Sequence, residues 1–141
     1  MIQRIQTIYL VFGSLILAGN YMLAEVWIGP ASVQSGWFTP VTLGLYSLAL
    51  IGGVFSIFLY KNLERQRQSI LAVAWTAFLG LIVLSVGLYV ADVLPFVSDA
   101  RTSTQSWLAI VLPLSALANF ELARRSVNRD VKLLRSVDRL R

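Results

Sequence analysis

The chain has 141 residues, 57% hydrophobic and only 13% charged, with twelve Lys and Arg against seven Asp and Glu, for a formal charge of +5. Soluble domains carry about 25% charged residues, and a chain this short cannot enclose so much apolar material in one buried core. Composition therefore excludes an ordinary soluble domain and indicates an integral membrane protein. Cys and His are both missing. That excludes disulfides, thiolate metal sites and Cys nucleophiles, and equally His-ligated haem, zinc sites and His proton shuttles.

Four long apolar stretches follow one another. They run roughly from Ile8 to Trp27, from Val41 to Tyr60, from Ile70 to Val90 and from Trp107 to Ala123. A helix needs about 20 residues to cross about 30 Å of hydrocarbon. The first three reach that length. The fourth is shorter, contains Pro113, and is expected to run on into the tail as one helix. Barrel strands alternate in hydrophobicity over about ten residues, and these runs are continuous, so helices are expected. The fold class expected is all-α: an integral membrane protein with four transmembrane helices in an antiparallel bundle, the fourth continuing into a basic amphipathic C-terminal helix. This divides the chain into a four-span domain, residues 1–123, and a cytoplasmic tail, residues 124–141. Arg4 followed by an apolar run resembles a secretory signal, but Asn20, Tyr21 and Met22 stand where a small-residue cleavage site belongs. The stretch is read as a retained span.

Charge sets the orientation. With four crossings, eleven of the twelve cationic residues fall on one face: Arg4, then Lys61, Arg65 and Arg67 between spans two and three, then seven from Arg124 to Arg141. Arg101 alone falls on the other face, beside Asp92 and Asp99. The positive-inside rule then places both termini in the cytoplasm. The outer stretches, Trp27 to Pro40 and Ala91 to Ser106, are rich in Gly, Pro, Ser and Thr and are expected as loops. Trp27, Trp37 and Trp107 stand at the outer ends of three spans, where indole rings favour the headgroup region.

An ionisable group deep in hydrocarbon is a functional candidate by default, and the middles of these spans hold none. Glu25 lies at the outer end of span one. Glu121 lies at the inner end of span four, with Arg124 and Arg125 at i+3 and i+4, an arrangement that suggests a local helix pair. Asn20 and Asn119 are the most polar side chains near the spans, expected as packing contacts across helices. Small residues recur at spacing four: Gly52 and Ser56, Ala49 and Gly53, then Ala72, Thr76 and Gly80, and Ser14 with Ala18. That spacing lets helices approach closely, inside one bundle or against a partner. No Gly-rich phosphate loop and no activated nucleophile stands out, so the chain is expected not to be an enzyme and to hold no cofactor, haem or metal.

The tail from Arg124 to Arg141 carries seven basic and two acidic residues. Val127, Val131, Leu134 and Val137 form a stripe of helical period along it. Such a helix has three uses: anchoring on anionic headgroups, docking on a partner protein, or touching nucleic acid. The last is not expected.

The opening MIQRIQTIYL and the closing LLRSVDRLR, joined by four spans, resemble a family of small inner-membrane proteins of bacteroidete-type bacteria, catalogued as a domain of unknown function. The resemblance implies four helices in a plasma membrane with termini inside. It carries no assigned activity and no functional residue. Both resembling ends lie on the cytoplasmic face, so Arg4, Arg135, Asp138, Arg139 and Arg141 are expected to form or border an interaction surface there. The function expected is that of a non-catalytic accessory or structural subunit of a larger membrane complex, with anionic lipids and other integral membrane subunits as partners. The alternative is a homo-oligomeric transporter or channel, with a polar path past Asn20, Tyr21 and Glu25.

Overall fold

Gly19 and Asn20 end the first helix, since both are poor helix formers at the foot of an apolar run. In the computed structural model, which describes residues 3–94 and 100–138, α1 spans Gln3–Gly19 and a single 3-10 turn, Asn20–Met22, follows it. Two short helices come next, α2 (Ala24–Ile28) and α3 (Pro30–Gln34), the latter begun by Pro30 at a position where proline's missing N–H costs nothing. The first span is therefore shorter than the expected Ile8 to Trp27, and the stretch expected as a loop from Trp27 to Pro40 is partly helical.

Three long helices complete the described chain. α4 spans Phe38–Phe58 and closes through a 3-10 turn, Leu59–Lys61. α5 spans Leu63–Val90; Asn62 caps it, the side-chain Oδ1 accepting the Arg65 N–H at 3.2 Å. At its other end Asp92 adopts φ 53, and the Val93 N–H returns to the Leu88 carbonyl at 3.1 Å. This is the left-handed closing turn that usually takes glycine. α6 runs unbroken from Ala100 to Asp138 through Pro113. Its 39 residues extend about 58 Å at 1.5 Å each, nearly twice a bilayer's hydrocarbon thickness.

Four segments are long and apolar enough to cross a membrane: Ile5–Met22, Phe38–Lys61, Leu63–Val90 and Thr104–Leu133. α1 packs on α4 and α6, and α5 packs on α4 and α6. Contacts run in opposite senses along α1 and α6, where Asn20 meets Ala109 and Gln6 meets Asp130, and along α4 and α5, where Ser56 meets Ser69 and the Gly80 position meets Tyr46.

Glycine lets the helices close. A Cβ on Gly80 would lie 2.5 Å from Tyr46 Cε1, and one on Gly53 would lie 2.7 Å from Ser14 Oγ. Gly13 and Gly52 are filled in the same way by Phe120 and Val73. The spaced small residues Gly52, Gly53, Gly80 and Ser14 thus serve packing within the chain, whereas Ala72 is exposed. Trp27 corrects an expectation. It is buried at 7% exposure, stacked on Phe38 and edge-on to Tyr46 with ring centroids 6.1 and 6.5 Å away. Its indole N–H donates to the Asn20 carbonyl at 2.9 Å. It is a core residue, because the chain turns back at Asn20 and carries it over the helix ends. Trp37 and Trp107 remain about half exposed.

Candidate functional site

Beyond Ala123 the cations of α6 separate onto distinct faces. Positions 122, 125, 126, 129, 130 and 133 share one side of a helix by their three- and four-residue spacing. Val127 and Val131 point elsewhere and are buried in the same apolar cluster as Leu10 and Phe120. The first half of the tail's apolar stripe therefore packs inward; Leu134 and Val137 have side chains outside the described residues.

The start of α1 lies against this cationic side. Gln6 is 1% exposed despite its amide, and it resolves the burial by donating from Nε2 to Asp130 Oδ2. The other carboxylate oxygen, Oδ1, is buried without a hydrogen-bond partner among the described residues. Next to this clasp a cleft of about 500 Å³ opens between the two helices. Ile5, Leu122 and Leu133 give it apolar walls, and Tyr9, Arg125 and Arg129 bring polar groups. Ser126 and Asp130 complete the lining.

The charges around the cleft are unevenly matched. Glu121 accepts from Arg124 Nε and Nη2 at 2.7 and 2.8 Å and from Arg125 Nε at 3.1 Å. This is the local pairing expected of Glu121, shared between two guanidinium groups. Arg129 has no carboxylate partner among the described residues. The cleft thus holds one guanidinium without a carboxylate partner among the described residues, a second shared with Glu121, and the Asp130 carboxylate, beside apolar walls, in a volume of the size that small-molecule sites occupy.

Other polar side chains make their contacts inside the chain. At the end of α4 nearest Lys61, Ser56 joins the Gly52 carbonyl and Ser69 Oγ, both at 2.7 Å, and Gln66 donates to the Ser56 carbonyl at 3.2 Å. Asn20 is fully buried and donates to the Ala109 carbonyl at 3.4 Å. Tyr21, expected along a path between protomers, meets Leu43 O and Ser47 Oγ of α4 at 3.2 and 2.8 Å. Asn119, expected to bridge helices, instead donates to Ser115 O of its own helix at 2.8 Å.

Of the residues expected at the cytoplasmic surface, Arg139 and Arg141 lie outside the described residues. Arg4, Arg135 and Asp138 fall on α1 and α6, and their side chains lie outside the described residues, as does that of Glu25. The residues the structure brings together are others: Gln6, Tyr9, Arg125, Arg129 and Asp130. Arg125 and Arg129 at i, i+4, flanked by Leu122 and Leu133, were the available signal. The pairing of Gln6 with Asp130, distant in sequence, had none.

The chain matches a family model described as a domain of unknown function (DUF4293) over residues 2–140, and it belongs to that family. Comparison with curated proteins and with solved structures gives no match.

Proposed function

We propose that this DUF4293 chain is a non-catalytic accessory or structural subunit of a complex in a bacterial inner membrane. Its four spans form an antiparallel bundle with both ends inside, and its basic end lies at the cytoplasmic leaflet. One observation carries the reading. Asn20, Tyr21, Ser56 and Gln66 turn polar groups of the spans onto neighbouring helices of the same chain, and Ser14 and Tyr46 bury their hydroxyls inside the bundle. The outer faces are apolar, with Phe55, Trp75, Phe78 and Ile82 all exposed. What the chain offers its surroundings is therefore apolar helix surface and one cationic end. Both suit packing beside other spans and anchoring on lipid.

The resemblance of both ends to small bacteroidete inner-membrane proteins supports the placement, as does the crowding of cations at one end of α6. Affinity purification from native membranes in mild detergent tests the reading. A stoichiometric integral membrane partner is the expected result; recovery of the chain alone would contradict it.

A further inference from the structure

We infer that the cleft between α1 and α6 is a binding site for the phosphodiester headgroup of an anionic phospholipid of the cytoplasmic leaflet. The inference rests on the orientation proposed above, which brings the basic end of α6 to the leaflet surface, and it adds the ligand class and the residues that hold it.

Four features of the cleft point to that chemistry. Arg125 and Arg129 stand one helical turn apart on the same wall. Arg125 gives its Nε to Glu121, while Arg129 has no carboxylate partner among the described residues, so the Arg125 terminal nitrogens and the whole Arg129 group can share one phosphate. Tyr9 from α1 and Ser126 from α6 add hydroxyl donors within the same recess. Asp130 also lines the cleft and offsets part of this field, but one of its oxygens accepts from Gln6 and the other is buried, so the carboxylate is held toward α1. Finally, Ile5, Leu122 and Leu133 make part of the lining apolar. A free phosphate gains nothing from apolar walls, whereas the glycerol and first acyl carbons of a lipid do.

Position agrees with composition. The cleft begins at Leu122, where the fourth apolar stretch ends, and extends to Leu133 among the cations. A lipid standing in the leaflet presents its phosphate at that boundary. Lys and Arg near an anionic surface attract it wherever they point; the cleft adds shape to that field. It should therefore retain a particular lipid through detergent extraction, which diffuse attraction cannot do.

The test reconstitutes the full chain in nanodiscs containing phosphatidylglycerol, phosphatidylethanolamine and phosphatidylcholine, extracts it into mild detergent and counts retained phospholipid by native mass spectrometry. Retention of one phosphatidylglycerol per chain is expected. Arg129→Gln should lower that retention about tenfold, the effect of removing one charge-assisted hydrogen-bonding group. Leu133→Trp, which fills the cleft and keeps both guanidinium groups, should do the same. Arg67→Gln, an exposed cation on α5, should leave retention unchanged. Circular dichroism confirms that each variant keeps its helices, and the two cleft variants act by different means. Equal retention of phosphatidylethanolamine, equal loss in Arg67→Gln, or full retention in both cleft variants would overturn the site. Displacement of the lipid by millimolar inorganic phosphate would overturn the lipid assignment in favour of a soluble phosphate. No partner protein is present in this assay, so its failure leaves the subunit reading standing, and failure of the co-purification test leaves the cleft standing.

Discussion

The side-chain amide of Asn20 donates to the carbonyl of Ala109, 3.4 Å away on α6. Ala109 is four residues before Pro113, and proline has no N–H to return to that carbonyl. A residue that ends one helix thus satisfies the carbonyl that a proline leaves open in another. This is how a proline is accommodated inside a span without exposing backbone to lipid.

That relationship makes a double-mutant test. Asn20→Leu should destabilise the protein by about 1–3 kcal/mol, because a buried carbonyl loses its donor. Pro113→Ala restores an N–H to the same carbonyl, so the double variant should recover part of the loss. Thermal unfolding in detergent measures both, and strict additivity of the two changes would contradict the relationship.

Helix closure makes a second prediction. Gly80→Ala drives a Cβ into the Tyr46 ring and should cost about 1–3 kcal/mol by overpacking. Gly44 has nothing within 4 Å of the same added atom, so Gly44→Ala should be neutral or stabilise by about 0.5–1 kcal/mol. Tyr46→Leu should relieve the Gly80→Ala variant in the same unfolding assay.

The burial of Trp27 is checked by fluorescence in brominated lipid. With the other three indoles replaced by Phe, Trp75, which is 59% exposed on α5, should be strongly quenched. Trp27, at 7% exposure, should emit with little quenching. Equal quenching of the two would return Trp27 to the lipid interface.

The turn after α5 gives a fourth prediction. Asp92 holds φ 53, a conformation open to glycine without strain. Asp92→Gly should raise stability by up to about 1 kcal/mol, and Asp92→Val should lower it, since β-branched residues resist that region. Unfolding midpoints for the two variants should move in opposite directions.

How much of this was legible beforehand differs from element to element. The four membrane-length helices follow from continuous apolar runs, and the Glu121 pairing with Arg124 and Arg125 follows from helical spacing. Trp27 was misplaced because hydropathy does not register the reversal at Asn20 that folds it inward. The Val127 and Val131 stripe was visible as a period, but its partner was not: the same pattern suits a membrane surface and the inner face of α6. The cleft was missed for a related reason. Gln6 and Asp130 become neighbours only once α1 and α6 lie side by side, and a single sequence holds no signal for contacts at that distance. The side chains of Arg4, Arg135, Asp138, Arg139 and Arg141 lie outside the described residues, so the candidate site rests on their neighbours along α1 and α6.

The account stands on four crossings with the cationic ends together on one side of the membrane. The chain has no native cysteine, so single-cysteine variants report sidedness directly. In intact cells a membrane-impermeant maleimide should label Ser35→Cys, between α3 and α4, while Gln68→Cys and Ser136→Cys react only after the membrane is opened. Labelling of Ser35→Cys and Ser136→Cys from the same side would contradict the threading and with it the placement of the cleft.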